Sequence, residues 1–506
     1  MSLKNLQEIS SLVTDFTKKG RFLKVSDGKV NSTKYLKLIS GLAQKRWASD
    51  DEARQDLYGK ELGDKTFEML KSRAKDQLVN MIFQLDTEKR FKSSYDKAYF
   101  SVCKNLLSGA ILFAQGRINS GEEQLKLALK GCQQYYFNDL LIIAARLLRN
   151  VSVFSGSTRK FNFYNDVLSK AAATLQAETR AEQLNQELIL LVVGSVGDDE
   201  NWKRKTSASF KELKELVTKF DTHTTRISMY RVGLRYYDSV NDYNNSIRMA
   251  TECEQYLYAH PHLIQKVRLG EMSLNKLYAA LHLRDYDNGS NYANECMNFF
   301  NAGTINWLIF LEYYFLLALH TGNHSKAKEV YNQVVNHKSF ASYPPQNKEK
   351  WKIFEAFLVY TDTEQNQKGK RFNVARFINE VPIFSKDKAG YNFSIIVAQV
   401  LLSLKIGDYS GIVAKAEALK LYAARYIRKE KNPRSYYFMK MIQVMIRYDF
   451  DPVKTEQIAQ KFFVKLRESH LGEQSELETL EVIPYDQLWP QVIEMLERNK
   501  TVDIGQ

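Results

Sequence analysis

The stretch KAEALKLYAARYIRKEKNPRSYYFMKMIQVMIR, residues 415–447, carries nine basic residues against two acidic, interleaved with Tyr422, Tyr426, Tyr436 and Tyr437. Basic side chains neutralise phosphates or carboxylates, and tyrosine rings stack on bases. On that chemistry Lys420, Arg425, Arg428, Lys429, Lys431 and Arg434 form an anion-binding surface. A plainer reading stays open beside it. Leu419, Tyr422, Ala423 and Tyr426 recur at helical spacing, as a buried stripe does, with Lys and Arg left on the wet face. A second cluster, Lys203-Arg204-Lys205 after Trp202, falls in the longest turn and is too short to carry an argument.

Catalytic signatures are missing. The chain has no GxxxxGK[ST], no HExxH and no GxSxG, and GSVGDDEN supplies only two of the glycines of a dinucleotide loop. His320 and His324 straddle a turn at Gly322, and His260 and His262 flank Pro261, so neither pair shares the helical face that a metal site uses. Cys103, Cys132, Cys253 and Cys296 are widely spaced and read as reduced, buried thiols. The expectation is a non-enzymatic protein without cofactor or metal.

The elements that must position these residues are helices. Proline occurs 8 times in 506 residues and first at Pro261. Because proline breaks a helix interior, its absence over so long a stretch argues for helix after helix and against a turn-rich β-fold. Hydrophobic residues make up 44% and charged residues 26%, enough to bury a core. Short polar turns punctuate the apolar segments at Gly116, Gly156, Gly197, Asn241, Arg284, Gly322, Gly407 and Asp449, with gaps of 40, 41, 44, 43, 38, 85 and 42 residues. The gap of 85 is two periods, with another polar break at 361–372. Such periodicity marks stacked helical hairpins, each with an apolar face too large to bury alone.

The turn residues repeat as well. Asn241-Asp242-Tyr243, Arg284-Asp285-Tyr286, Gly322-Asn323-His324 and Gly407-Asp408-Tyr409 each give a turn former, a polar residue able to cap the next helix, and a ring. Three positions after the ring stand Ser246, Gly289, Ala327 and Ile412, mostly small. In these features the chain resembles the tetratricopeptide-repeat family. GNHSKAKEVYNQVV matches with Gly322, Ala327 and Tyr331; RDYDNGSNYANEC with Tyr286, Gly289, Ala293 and Cys296; GRINSGEEQLKLAL with Gly116, Gly121 and Ala128. The resemblance covers roughly 96–467. It departs from the family in a period near 42 rather than about 34, and in the proline missing after most second helices. It implies an all-α, right-handed α-solenoid of stacked helical hairpins. It also implies that first helices line a groove whose side chains clamp a bound peptide. Counting back from the turns places Arg231 and Arg235, Asn275 and Tyr278, and Glu312 and Tyr313 on that groove. Alternatively Arg231 and Arg235 pair with Asp238 or Asp242 on the surface.

Residues 1–95 read as an N-terminal helical cap or small helical domain, with a capping box at Ser49 and Glu52 and an apolar stripe of Phe67, Leu70, Ala74, Leu78 and Ile82. Residues 96–467 form the array, and 468–506 an acidic C-terminal capping segment in which Pro484 and Pro490 predict a loop and one short helix. The formal charge is +14, but residues 468–506 hold nine acids and two bases, leaving +21 on the rest. Such a body attracts an anionic partner or takes back its own tail. The N-terminus lacks the unbroken apolar core of a secretory signal. The longest apolar run, Trp307 to Leu319, is cut by Glu312 and short of the roughly 20 residues that cross a bilayer. The expected protein is a cytoplasmic, membrane-free scaffold or adaptor for a protein or peptide. Nucleic-acid or polyanion binding through the basic body, and a peptide-sensing regulator with the N-terminal segment as output, are the alternatives.

Overall fold

A computed structural model describes residues 2–16, 33–59, 64–83, 91–194, 199–361, 391–414, 433–469 and 481–504, with the single residues 377, 420, 427 and 429. Among the described residues the chain is all-helical, without strands. It divides into two compact units, Met1–Ser101 and Val102–Gln506. The turn at Gly197, the break at 361–372 and the stripe at 419–426 lie outside the described residues, apart from Lys420 and the end of the helix at Thr361.

In the first unit α1 (Leu3–Phe16), α2 (Thr33–Ala43), α3 (Asp50–Tyr58) and α4 (Asp64–Ile82) surround a core of Leu6, Leu38, Leu42, Trp47, Phe67 and Leu78. Ser49 caps α3 by accepting from the Glu52 amide, and Glu52 reaches back to the Ala48 amide. Phe67, Ala74 and Leu78 of the stripe are buried on α4, while Leu70 and Ile82 are partly covered.

Helix α5 (Ser94–Ala114) crosses the boundary between the units. After it come α6 (Ile118–Tyr135), α7 (Asn138–Phe154), α8 (Thr158–Gly194), α9 (Asp199–Lys219), α10 (His223–Ser239), α11 (Tyr243–Ala259), α12 (Lys266–Leu283), α13 (Tyr286–Phe299), α14 (Ile305–His320), α15 (His324–Val335) and α16 (Pro345–Thr361). Last are α17 (Tyr391–Lys405), α18 (Pro433–Arg447), α19 (Pro452–Glu468) and α20 (Tyr485–Ile504). From α6 to α17 each helix packs on the next, and α8 packs on α10 and α12 on α14, so first helices also lie side by side. One apolar core runs from Leu277 to Leu496 and a second from Ala181 to Met272.

The described turns share one geometry. Gly116, Gly156, Asn241, Arg284, Gly322, Gly407 and Asp449 all have positive φ, between 49° and 74°. Each donates its amide to the carbonyl three residues back, and the next residue donates to the carbonyl five before it, as Gly322 to Leu319 and Asn323 to Ala318. This double bond closes the orphan carbonyls of a helix end. The residue after the turn then starts the next helix: Asp242, Asp285, Asn323 and Asp408 accept from the amides of Asn245, Asn288, Lys326 and Gly411. The ring that follows reaches one period onward, Tyr243 stacking on His282 at 4.5 Å and Tyr409 meeting Phe450 at 4.6 Å. Ser246, Gly289, Ala327 and Ile412 are all buried. A Cβ on Gly289 would come within 2.3 Å of Leu317, which is why that position is glycine.

Three sequence expectations change. Helix α8 runs 37 residues, about 55 Å, through the point where a junction between hairpins falls due. Its alanines (Ala171, Ala177, Ala181) favour helix, and no Gly, Pro or Asn breaks it there. Lys203-Arg204-Lys205 lies exposed on α9 rather than in a turn. Pro490 sits inside the 20-residue α20, so the tail forms one long helix. Proline near a helix start removes one backbone bond, and buried neighbours on both sides, Leu488, Trp489, Val492 and Ile493, hold that helix in place.

Gly322 has open space around an added Cβ, so Gly322→Ala isolates the backbone term. It is expected to cost about 1 kcal/mol through the left-handed φ. Asn323→Ala is expected to cost about 1 kcal/mol through the lost cap. Urea unfolding of each single variant checks both.

Candidate functional site

The six groove candidates all lie on first helices, and each is engaged. Arg231 of α10 forks onto Glu271 of α12, with Nε–Oε1 at 2.8 Å and Nη2–Oε2 at 2.6 Å. Arg268 adds a third contact to Glu271 at 3.2 Å. Arg235 donates to Asn185 of α8 at 2.6 Å. Asn275 donates to the Glu271 carbonyl at 2.7 Å. The rings of Tyr278 and Tyr313 meet across α12 and α14 at 5.4 Å between centroids, and Tyr278 also packs on His282 at 4.5 Å. Glu312 is buried and pairs with Lys350 of α16 at 2.7 Å. Arg231 and Arg235 thus join neighbouring first helices, through Glu271 and Asn185.

These contacts join equivalent helices about one period apart. Arg231 to Glu271 spans 40 residues and Glu312 to Lys350 spans 38. The strip is cross-linked by its own side chains, with Tyr278, Tyr313, Arg231, Arg235 and Asn275 half-buried along it. A second set of links fixes the other side of α12. Lys276, buried, reaches Glu254 of α11 at 2.9 Å and Glu295 of α13 at 3.0 Å, and its ammonium lies over the Tyr292 ring.

The anion-binding candidates divide differently. Arg425, Arg428 and Lys431 lie outside the described residues. Lys420 and Lys429 are exposed. Arg434 is not a surface cation at all, since its side chain is 7% exposed and every N–H is used inside the chain. Nε and Nη2 fork onto Glu481 at 2.6 and 2.9 Å, Nη2 also reaches Asp486 at 2.5 Å, and Nη1 donates to the carbonyls of Leu466 and Ser469. Five donors meet five acceptors. The basic body takes back its own acidic tail here, which removes Arg434 from any external anion.

The cluster continues. Asp486 accepts a second fork from Arg284 at 3.1 Å to each oxygen, across 202 residues of sequence. Arg284 is the left-handed residue that closes α12, so one side chain ends a helix and anchors the tail. Glu481 also accepts from the Tyr485 amide, which starts α20. His320, at the end of α14, donates from Nε2 to the Glu481 carbonyl at 2.9 Å, and Gln487 donates to the His320 carbonyl at 2.8 Å. Two cations and two carboxylates leave the cluster formally neutral. Burial pushes the Asp486 carboxyl upward, but hydrogen bonds from Arg284 and Arg434 outweigh it and hold it at about 2. Burial pushes His320 down to about 3, opposed by its bond to Glu481 and reinforced by the Arg284 charge. The imidazole is neutral in the folded chain, with Nδ1 buried and unpartnered.

Among the described residues no group of three or more His, Cys, Asp or Glu could hold a metal, and no helix is long and apolar enough to cross a membrane. Sequence reasoning missed Glu271, Lys350, Lys276, Glu481 and Asp486. The first two carried a signal: charges opposite to Arg231 and Glu312, one period onward.

Arg434→Met leaves two carboxylates buried without their main partner and is expected to cost about 3–5 kcal/mol. Urea unfolding measures it. Acid acts in the same direction. His320 titrates lower in the fold than its unfolded value near 6.5, so the unfolded chain takes up a proton that the fold refuses. Stability falls as pH drops from about 6.5 toward 3, by up to about 1.4 kcal/mol per pH unit. Asp486 adds its own loss as pH falls from its unfolded value of about 4 to its folded value of about 2. His320→Gln should flatten the first slope, as urea midpoints between pH 7 and 4 will show.

No family model, curated protein or solved structure matches the chain.

Proposed function

We propose that the chain is a non-enzymatic scaffold or adaptor that binds a protein or peptide along the first-helix face of a right-handed, tetratricopeptide-like array of stacked hairpins. Two features of the second unit support the array. The left-handed turn recurs at each described junction of the period, most of them with a side-chain cap, and first helices pack side by side at α8 with α10 and at α12 with α14. The observation that carries the binding reading is the ring pair Tyr278–Tyr313 beside Arg231 and Asn275, on side chains already fixed by neighbours. Tyrosine offers rigid area with an apolar body and a polar tip, and a strip ordered in advance loses little entropy on binding. Binding here is geometric: area from the rings, register from the polar groups between them.

Arg231 and Arg235 tie helices together, so replacing them mixes binding with stability. The ring pair is the cleaner probe. Peptides selected by display against the wild-type chain should bind Tyr278→Ala/Tyr313→Ala at least about tenfold more weakly, with helical circular dichroism retained. Equal affinity for both chains would refute the reading.

A further inference from the structure

Helix α20 packs on α19 as a terminal cap would, but its reach goes further. A cap touches the last repeat alone, because each unit of a stacked array contacts only its neighbours. Residues 481–504 instead reach four first helices. They meet the end of α12 through Arg284, the end of α14 through His320, α17 through Leu404, whose carbonyl accepts from Asn499, and α18 through Arg434. The helix also packs on α19, and Lys500 pairs with Asp451 there. The face it presents is that of a helix laid in a groove. Tyr485, Leu488, Trp489, Val492, Ile493 and Leu496 are buried, while Pro490, Glu494, Glu497 and Arg498 are exposed. Tyr485 stacks on Phe438 at 4.2 Å and meets Phe393 edge-on at 5.9 Å. Recognition is split along the helix, with paired carboxylates at its start read by two arginines and apolar anchors behind them.

From this the geometry points to α20 as a resident ligand: the surface formed by α17, α18 and α19, with the ends of α12 and α14 at its head, is a helix-accepting groove, and its external partner is an amphipathic helix headed by two carboxylates and followed by aromatic and aliphatic anchors. Charge complementarity commits the partner to this chemistry. Arg284 and Arg434 need two carboxylates at the spacing of Glu481 and Asp486, and a neutral or basic helix would leave Arg434 buried without a counter-charge. The inference rests on the array reading above and adds a ligand class to it. Docking is competitive, so a partner helix displaces α20.

The test uses the full chain with a site-specific protease sequence inserted within 470–480, cut after purification. The probe is a fluorescent synthetic peptide of residues 481–504. After nicking, the resident segment should stay bound, and excess labelled peptide should replace it. A peptide carrying Glu481→Gln and Asp486→Asn should compete at least about a hundredfold more weakly. A resident segment that never exchanges, a body that aggregates once cut, or equal competition by the two peptides would each overturn the inference. Failure here leaves the Tyr278 and Tyr313 effect on displayed peptides standing, so the two readings fall separately. Nicking changes no residue of the groove; as a second route, intact Asp486→Asn should take up the wild-type labelled peptide at least about tenfold better than the unaltered chain.

Discussion

Leaving a buried guanidinium with idle donors is costly, and Arg434 is buried. Its five N–H groups demand acceptors, and Glu481, Asp486, Leu466 and Ser469 are the groups that meet them. This requirement brings the tail back onto the array, sets the start of α20 through the Tyr485 amide, and draws in Arg284 and His320 from the ends of α12 and α14. Such a network adds little net stability over an apolar core of the same shape, since desolvation offsets most of the attraction. What it contributes is selectivity. Breaking one member is costly, so only a segment with both carboxylates in register can occupy the place.

The turns impose the other constraint. Each described junction places one residue in the left-handed region, and all but the one at Gly116 place a side-chain hydrogen-bond acceptor immediately or shortly after it. Glycine meets the first demand at four of these positions, but Asn241, Arg284 and Asp449 meet it at some conformational cost. For Arg284 the compensation is visible, because its position at the end of α12 aims the guanidinium at Asp486. Because the break is made by backbone conformation and capping, proline is not needed, and its rarity follows. The chain departs from the scheme at α8, where an alanine-rich stretch carries the helix through a junction.

Local chemistry was legible in the sequence. Helical content, the turn positions and the caps at Asp242, Asp285, Asn323 and Asp408 depend on neighbouring residues and can be read from short windows. The small residues beyond the rings follow from the same periodicity. The candidate strip was legible only in position. Arg231, Asn275, Tyr278 and Tyr313 do share one strip, but their partners lie on other helices. Glu271 and Lys350 could have been found by asking which opposite charges stand one period onward. Asp486 could not, since no repeat relates it to Arg284 across 202 residues. The excess of acid in the tail over a basic body foretold that a pairing was available. Which arginine would be buried in it depends on tertiary packing, and so Arg434 read as a surface cation.

On this reading the Arg434 cluster holds α20 as a separable element. Amide hydrogen exchange resolved along the chain addresses this most directly, by comparing the wild type with Arg434→Met. Residues 485–504 are expected to lose protection in the variant while α10 to α14 keep theirs, because local opening of the docked helix needs less free energy than opening the array. Loss of protection in α12, α14 and α18 together with α20 would contradict it, since the tail would then be part of one cooperative core.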